Sequence, residues 1–138
     1  MTDTPVKLSP VEGMKIHSRA LRGTIAADLA DTSKACLDET GYQLLKFHGV
    51  YEGFNRDTAT ARKQQGLDKE YEYMVRIAIP GGRLTAAQYL RLDELADSHA
   101  NGTLRVTTRQ AIQYHCIAKG NLQDAIAEIR LAALTTLS

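Results

Sequence analysis

Cysteine is scarce in this chain. Only Cys36 and Cys116 occur in 138 residues, far apart and with no C-x-x-C pairing. That excludes a disulfide framework and a cysteine-built zinc site, and it fits a reducing cytoplasm. Long hydrophobic runs are lacking too. No stretch approaches the roughly 20 apolar residues needed to span a bilayer, so no membrane span is expected. The first fifteen residues carry acids early and no apolar centre, so no secretory signal is expected there. An excess of one charge is also missing. The net charge is +1, which gives no global steering toward nucleic acid and confines any basic patch to a local one. Neither an internal repeat nor a low-complexity tract is present. What remains is 43% hydrophobic and 24% charged, the composition of a globular chain long enough for one compact core.

The first half of the chain gives soft signals. Residues 1–13 are polar, contain Pro5 and Pro10, and read as an extended arm. Leu21, Ile25 and Leu29 fall on one helical stripe from Met14 onward, against which Gly23 argues. Residues 32–41 read as a loop. Residues 42–51, with Leu44, Leu45, Phe47, Val50 and Tyr51, suggest a strand. Residues 55–69 are polar and charged and read as a solvated helix or a loop.

The second half is more regular. In residues 71–79, Tyr73, Val75, Ile77 and Ile79 share one face, while Glu72, Met74, Arg76 and Ala78 share the other. That is a period-2 strand with one buried side. Pro80-Gly81-Gly82 stops it. Thr85 and Gln88 form a capping-box pattern, followed by Leu92, Leu95, Ala96 and His99 at helical spacing and an Asn101-Gly102 stop. Residues 104–117 return to strand character, as two strands or one bent strand. Asn121 is placed to cap a last helix whose stripe is Leu122, Ala125, Ile126, Ile129, Ala132 and Ala133. The order strand, helix, strand or strands, helix predicts an α+β sandwich. Its sheet is largely antiparallel with helices on one face, a ferredoxin-like half-domain (βαββα without its closing strand) preceded by the arm. Residues 1–41 are read as arm and helix, and residues 42–138 as the half-domain. Residues 134–138 carry no helix-ending signal, which suggests a chain cut short.

Sorting the strands by face gathers the chemistry. If Leu104, Val106, Thr108, Ile112, Tyr114 and Cys116 face the helices, the open face collects Arg76, Arg105, Thr107, Arg109, Gln113 and His115. Glu72 is the one acid these runs add. Like charges on neighbouring strands repel. A face of three arginines with hydroxyl, amide and imidazole groups suits an anion better, because the guanidinium fork pairs oxyanions bidentately and stays charged. A lone strand arginine is more often solvated surface. His17, His48 and His99 read as structural, and Gly81-Gly82 as a turn. Pattern alone therefore leaves open an anion site, a protein-binding face and plain surface.

The runs YMVRIAIPGGRLTAAQ and NGTLRVTTRQAIQYHCI resemble the siroheme-containing sulfite and nitrite reductases. The L-R-x-T-x-R-Q-x-x-Q-x-H core of the second run is the more specific. LRGTIAADL and LLKFHGVYEGFNRD look most like the sulfite reductase hemoprotein subunit. The resemblance covers residues 12–137. It implies that Arg76, before the P-G-G turn, touches the substrate oxyanion. It also implies that Arg105, Arg109, Gln113 and His115 contact siroheme, largely through its carboxylates, with Thr107 among them. Cys116 departs from the family, which usually has glycine after the histidine. Alternation would turn the Cys116 side chain to the apolar side.

The resemblance further implies a parent oxidoreductase of sulfur assimilation that reduces sulfite to sulfide, or reduces nitrite, with six electrons. It would use siroheme and a [4Fe–4S] cluster and a flavoprotein subunit or ferredoxin as donor. The family's four cluster cysteines and its second half are not in these 138 residues, so this chain alone is expected to bind siroheme weakly or not at all and to be inactive. The competing expectation is a non-catalytic ferredoxin-like module for an anion or a protein. An RNA-binding reading would want aromatics on the open face, and none is predicted there.

Overall fold

Four strands pair in the order β1–β2–β4–β3, every neighbour antiparallel. They are β1 (Val50–Phe54), β2 (Tyr71–Ile77), β3 (Arg105–Val106) and β4 (Ile112–Ile117). This computed structural model describes residues 7–137. Six α-helices are described there: α1 (Pro10–Ile16), α2 (Ile25–Ala30), α3 (Glu39–Leu45), α4 (Arg56–Gln64), α5 (Ala86–His99) and α6 (Leu122–Leu131). The unit β2–α5–β3–β4–α6 is the predicted half-domain, with two strands in residues 104–117.

The core lies between the inner face of the sheet and the helices. β2 contributes Tyr73, Val75 and Ile77, and β4 contributes Ile112, Tyr114 and Ile117. Leu92, Leu95 and Ala96 of α5 and Leu122, Ala125 and Ile129 of α6 close over them, and Leu37 and Leu45 extend the same cluster. α5 starts as its sequence requires. Thr85 accepts from the Gln88 amide, and the Gln88 side chain reaches back to the Thr85 amide, at 3.1 and 3.0 Å. Both buried tyrosine hydroxyls are satisfied: Tyr114 donates to the Leu92 carbonyl at 2.8 Å, and Tyr73 to Glu52 at 2.7 Å. Glu52 also accepts from the Leu37 amide at 2.9 Å. Lys119 donates to the carbonyls of Asp31 and Lys34, both at 2.8 Å. The loop before α3 is thus tied to the sheet from two sides.

Several expectations shift. The arm is helical from Pro10, capped by Ser9; its residues 1–6 lie outside the described residues. The single stripe from Met14 is broken into α1 and α2 by a turn in which Arg19, Ala20, Leu21 and Gly23 all have positive φ. The strand expected over 42–51 is helix through Leu45 and becomes strand only at Val50, because Asp38 caps α3 by accepting from Gly41 at 2.6 Å. α6 starts without a side-chain cap from Asn121, which sits at the end of a 3-10 turn. The sheet edge beside β2, where a closing strand would lie, is occupied by β1, and Thr135 adds a bridge to Ala78.

Gly49 makes that edge possible. It has φ +71, and a Cβ there would lie 2.0 Å from the Thr136 carbonyl oxygen. No side chain fits between β1 and the returning chain, so the start of β1, and with it the facing of every later β1 residue, is fixed.

Candidate functional site

The outer face of the sheet is built on one cross-strand row. Arg76 of β2 is paired with Gln113 of β4, and Gln113 with Arg105 of β3. Residues paired directly across antiparallel strands point to the same side, so two arginines flank one amide on three adjacent strands. His115 lies two residues along β4 and shares that side. Arg76, Gln113 and His115 are half-buried, while Arg105 is exposed.

Arg109 and Thr107 reach the site differently from what alternation predicts. β3 ends at Val106, and residues 107–110 form the turn into β4. The Thr107 amide donates to the Ala111 carbonyl at 2.9 Å, and the Gln110 amide to the Thr107 carbonyl at 3.0 Å. The Thr107 hydroxyl accepts from the amides of Arg109 and Ala111 at 3.3 and 3.2 Å. Thr107 therefore holds the turn, and the turn carries an exposed Arg109 at the end of the sheet. The P-G-G turn after β2 packs there as well: a Cβ on Gly82 would lie 2.9 Å from that of Gln110.

Two inward expectations fail on the same strands. Val106 is 82% exposed, because no helix reaches the two-residue edge strand. Cys116 is exposed with φ +60. The β2–β4 register shifts between Tyr73 and Val75, a bulge that turns Cys116 outward and brings Ile117 into the core. Left-handed backbone disfavours any side chain, which accounts for glycine being usual at this position in the family that the sequence resembles.

The open face also carries an aromatic residue that the sequence reading missed. Tyr51 is paired with Met74, beside Arg76. Its signal was the alternation from Val50: once the strand begins there, Val50 faces in and Tyr51 out. Tyr51, Gly53, Glu72, Met74, His115 and Cys116 line a cleft of about 490 Å³ along this side.

The polar atoms of the face are unfinished. Arg76 Nε and His115 Nε2 are buried with no hydrogen-bond partner among the described residues, although buried polar groups are nearly always paired. None of the ion pairs among the described residues involves Arg76, Arg105 or Arg109. Burial, and then the Arg105 charge, push His115 below its ordinary value, against a smaller opposing pull from Glu72. Burial and the Glu72 carboxylate push the Cys116 thiol up. The face thus gathers guanidinium groups and an imidazole whose charged form burial disfavours, with polar atoms to spare, an arrangement suited to a ligand bearing several negative charges. Among the described residues no cluster of three or more His, Cys, Asp or Glu could hold a metal ion, and no helix is long and apolar enough to cross a membrane.

Comparison with known proteins gives a consistent result. Residues 64–132 match the family described as the nitrite/sulfite reductase ferredoxin-like half domain. The chain is 45% identical over all 138 residues to the sulfite reductase [NADPH] hemoprotein beta-component of Myxococcus xanthus, covering 25% of that protein. It is 42% identical over 132 residues to that of Staphylococcus saprophyticus, covering 23% of it. The chain therefore spans about a quarter of the length of these relatives. Among solved structures, the Mycobacterium tuberculosis NirA protein superposes with a TM-score of 0.72 at 22% identity, over 96% of this chain and 25% of that one, a likeness of fold.

Proposed function

Because the chain belongs to the nitrite/sulfite reductase ferredoxin-like half-domain family, we propose that it forms one part of the siroheme and substrate-anion cradle of a sulfite-reducing oxidoreductase. The observation that carries this reading is the pair of buried, unpartnered nitrogens, Arg76 Nε and His115 Nε2, on one open face. An anionic macrocycle and a small oxyanion would supply the missing acceptors.

Arg105, on the Gln113 row, and Arg109, on the turn that Thr107 holds, would pair the siroheme carboxylates. Gln113 and His115 would fill the hydrogen-bonding positions between them. Arg76 would hold the oxygens of sulfite through charge-assisted hydrogen bonds and stabilise negative charge as it develops there. When bound, siroheme with its [4Fe–4S] cluster would supply the redox chemistry, while the protein orients and tunes it. Two cysteines cannot ligate that cluster through four thiolates, so the cluster and the opposite wall of the cradle belong to the rest of the parent protein. Electrons would arrive from a flavoprotein subunit or a ferredoxin. Free Cys36 and Cys116 favour the cytoplasm. Residues 1–41, with α1 and α2, would form the N-terminal part and residues 42–138 the half-domain.

The test is a titration of the chain with siroheme, followed by absorbance. Weak saturable binding is expected, since only part of the cradle is present, with at least a tenfold loss in the Arg105→Ala/Arg109→Ala double variant. Binding that the double variant leaves unchanged, or sulfite turnover by this chain alone, would overturn the reading.

A further inference from the structure

We propose that Tyr51 is a positioning residue that pre-orients Arg76. The functional meaning of this rests on the cradle reading above; its geometry does not. An arginine on a strand has a long, flexible side chain whose ordering costs entropy, on the order of 2 kcal/mol if fully frozen. A guanidinium meant to receive an anion must be held without being neutralised. Among the described residues Arg76 has no carboxylate within ion-pair distance. Its side-chain hydrogen bond instead runs from Nη1 to the Tyr51 hydroxyl at 3.4 Å, and its guanidinium carbon stands 5.2 Å from the Tyr51 ring centroid, within cation–π range.

The backbone imposes this arrangement. The Arg76 amide donates to the Gly49 carbonyl at 2.8 Å, and Tyr51 is paired with Met74. Tyr51 and Arg76 are thus diagonal neighbours on one face, a spacing that aromatic and long side chains bridge. Gly49, which only glycine can occupy against Thr136, fixes where β1 starts and therefore which face Tyr51 takes. A phenol restrains the fork on one side and removes none of its charge. Nη1 is turned to Tyr51, while Nε remains buried and unpartnered. A carboxylate in place of the phenol would have consumed the charge that the site needs.

The test follows the Nε–H resonance of Arg76 in the 15N-labelled chain, assigned by its loss in Arg76→Lys. In Tyr51→Leu the resonance is expected to move to the position of the exposed arginines Arg105 and Arg109, with exchange against water at least fivefold faster. Tyr51→Phe, which keeps the ring, is expected to restore most of the shift and hold the exchange increase to about twofold. Ring resonances of Tyr73 and Tyr114 report whether the sheet is intact. An Arg76 resonance unmoved in a folded Tyr51→Leu overturns the proposal. If Tyr51→Leu does not fold, Tyr51→Phe decides through the hydroxyl contact alone: an Arg76 exchange rate equal to that of the unsubstituted chain overturns it as well. The cradle reading fails separately, when siroheme titration of Arg76→Ala and of Arg105→Ala/Arg109→Ala matches the unsubstituted chain while Arg76 is still ordered by Tyr51.

Discussion

The two faces of the same two strands are finished to different degrees. On the inner face of β2 and β4, Tyr73, Val75, Ile77, Tyr114 and Ile117 are fully buried, and both tyrosine hydroxyls find acceptors. On the outer face, Arg76 and His115 each hold a buried nitrogen with no partner among the described residues, and among those residues the arginines around them form no ion pair. Residues one position apart thus obey opposite rules. Burying an unpaired donor costs about 1–3 kcal/mol, so the inner face supplies the folding stability and the unpaired groups of the outer face subtract from it.

The largest effect that sharpens this contrast comes from truncating one residue on each face. Tyr114→Ala should lower unfolding stability by about 4 kcal/mol, from lost burial and a cavity, whereas Arg76→Ala removes a buried unpaired donor and should leave stability unchanged or raise it by about 1 kcal/mol. Urea unfolding of both variants measures the difference, and equal losses would remove the distinction between the faces. A smaller effect of opposite sign is expected at the bulge. Cys116→Gly releases a left-handed side chain and should stabilise the chain by up to about 1 kcal/mol; the same unfolding series would show it, and a loss would mean that the thiol packs more than its exposure indicates.

The smallest effect is the pH response of His115. Its folded pKa is lowered from 6.5, first by burial and then by Arg105. The unfolded chain therefore takes up the proton first as pH falls. The stability contribution is complete above 6.5 and declines as pH falls through the folded value. Melting curves from pH 8 to 5 should show this decline in the unsubstituted chain and a flatter profile in His115→Gln. A ligand rich in carboxylates should oppose the decline by favouring the charged imidazole, so an unchanged profile with siroheme bound would argue against contact at His115.

Much of this was legible in the linear sequence wherever the cause is local. The alternation of residues 71–79 named the buried side of β2. Thr85 and Gln88 marked the start of α5, and the strand-helix-strand-helix order gave the half-domain. Arg76, Arg105, Gln113 and His115 were assigned to one face, and Arg76, Gln113 and Arg105 stand in one row because the pairing register agrees with the alternation. The chain's resemblance to the reductase family was likewise carried by contiguous motifs.

Position in space was another matter wherever a partner strand or a turn decides it. Cys116 breaks its own alternation because the β2–β4 register slips, and a slip belongs to two strands and not to either sequence alone. Val106 is apolar yet bare, since whether a helix covers an edge strand depends on the whole layer. Arg109 moved from a strand face to a turn tip when residues 107–110 closed on themselves through the Thr107 hydroxyl. Tyr51 joined the site because Asp38 capped α3 and Gly49 set the start of β1. The sequence by itself determined which side chains are cationic, which stripes are apolar and where α5 begins, all set by neighbours within a few residues. Only the tertiary structure decided which nitrogens are left buried without a partner, because that depends on groups brought together from strands far apart in the chain.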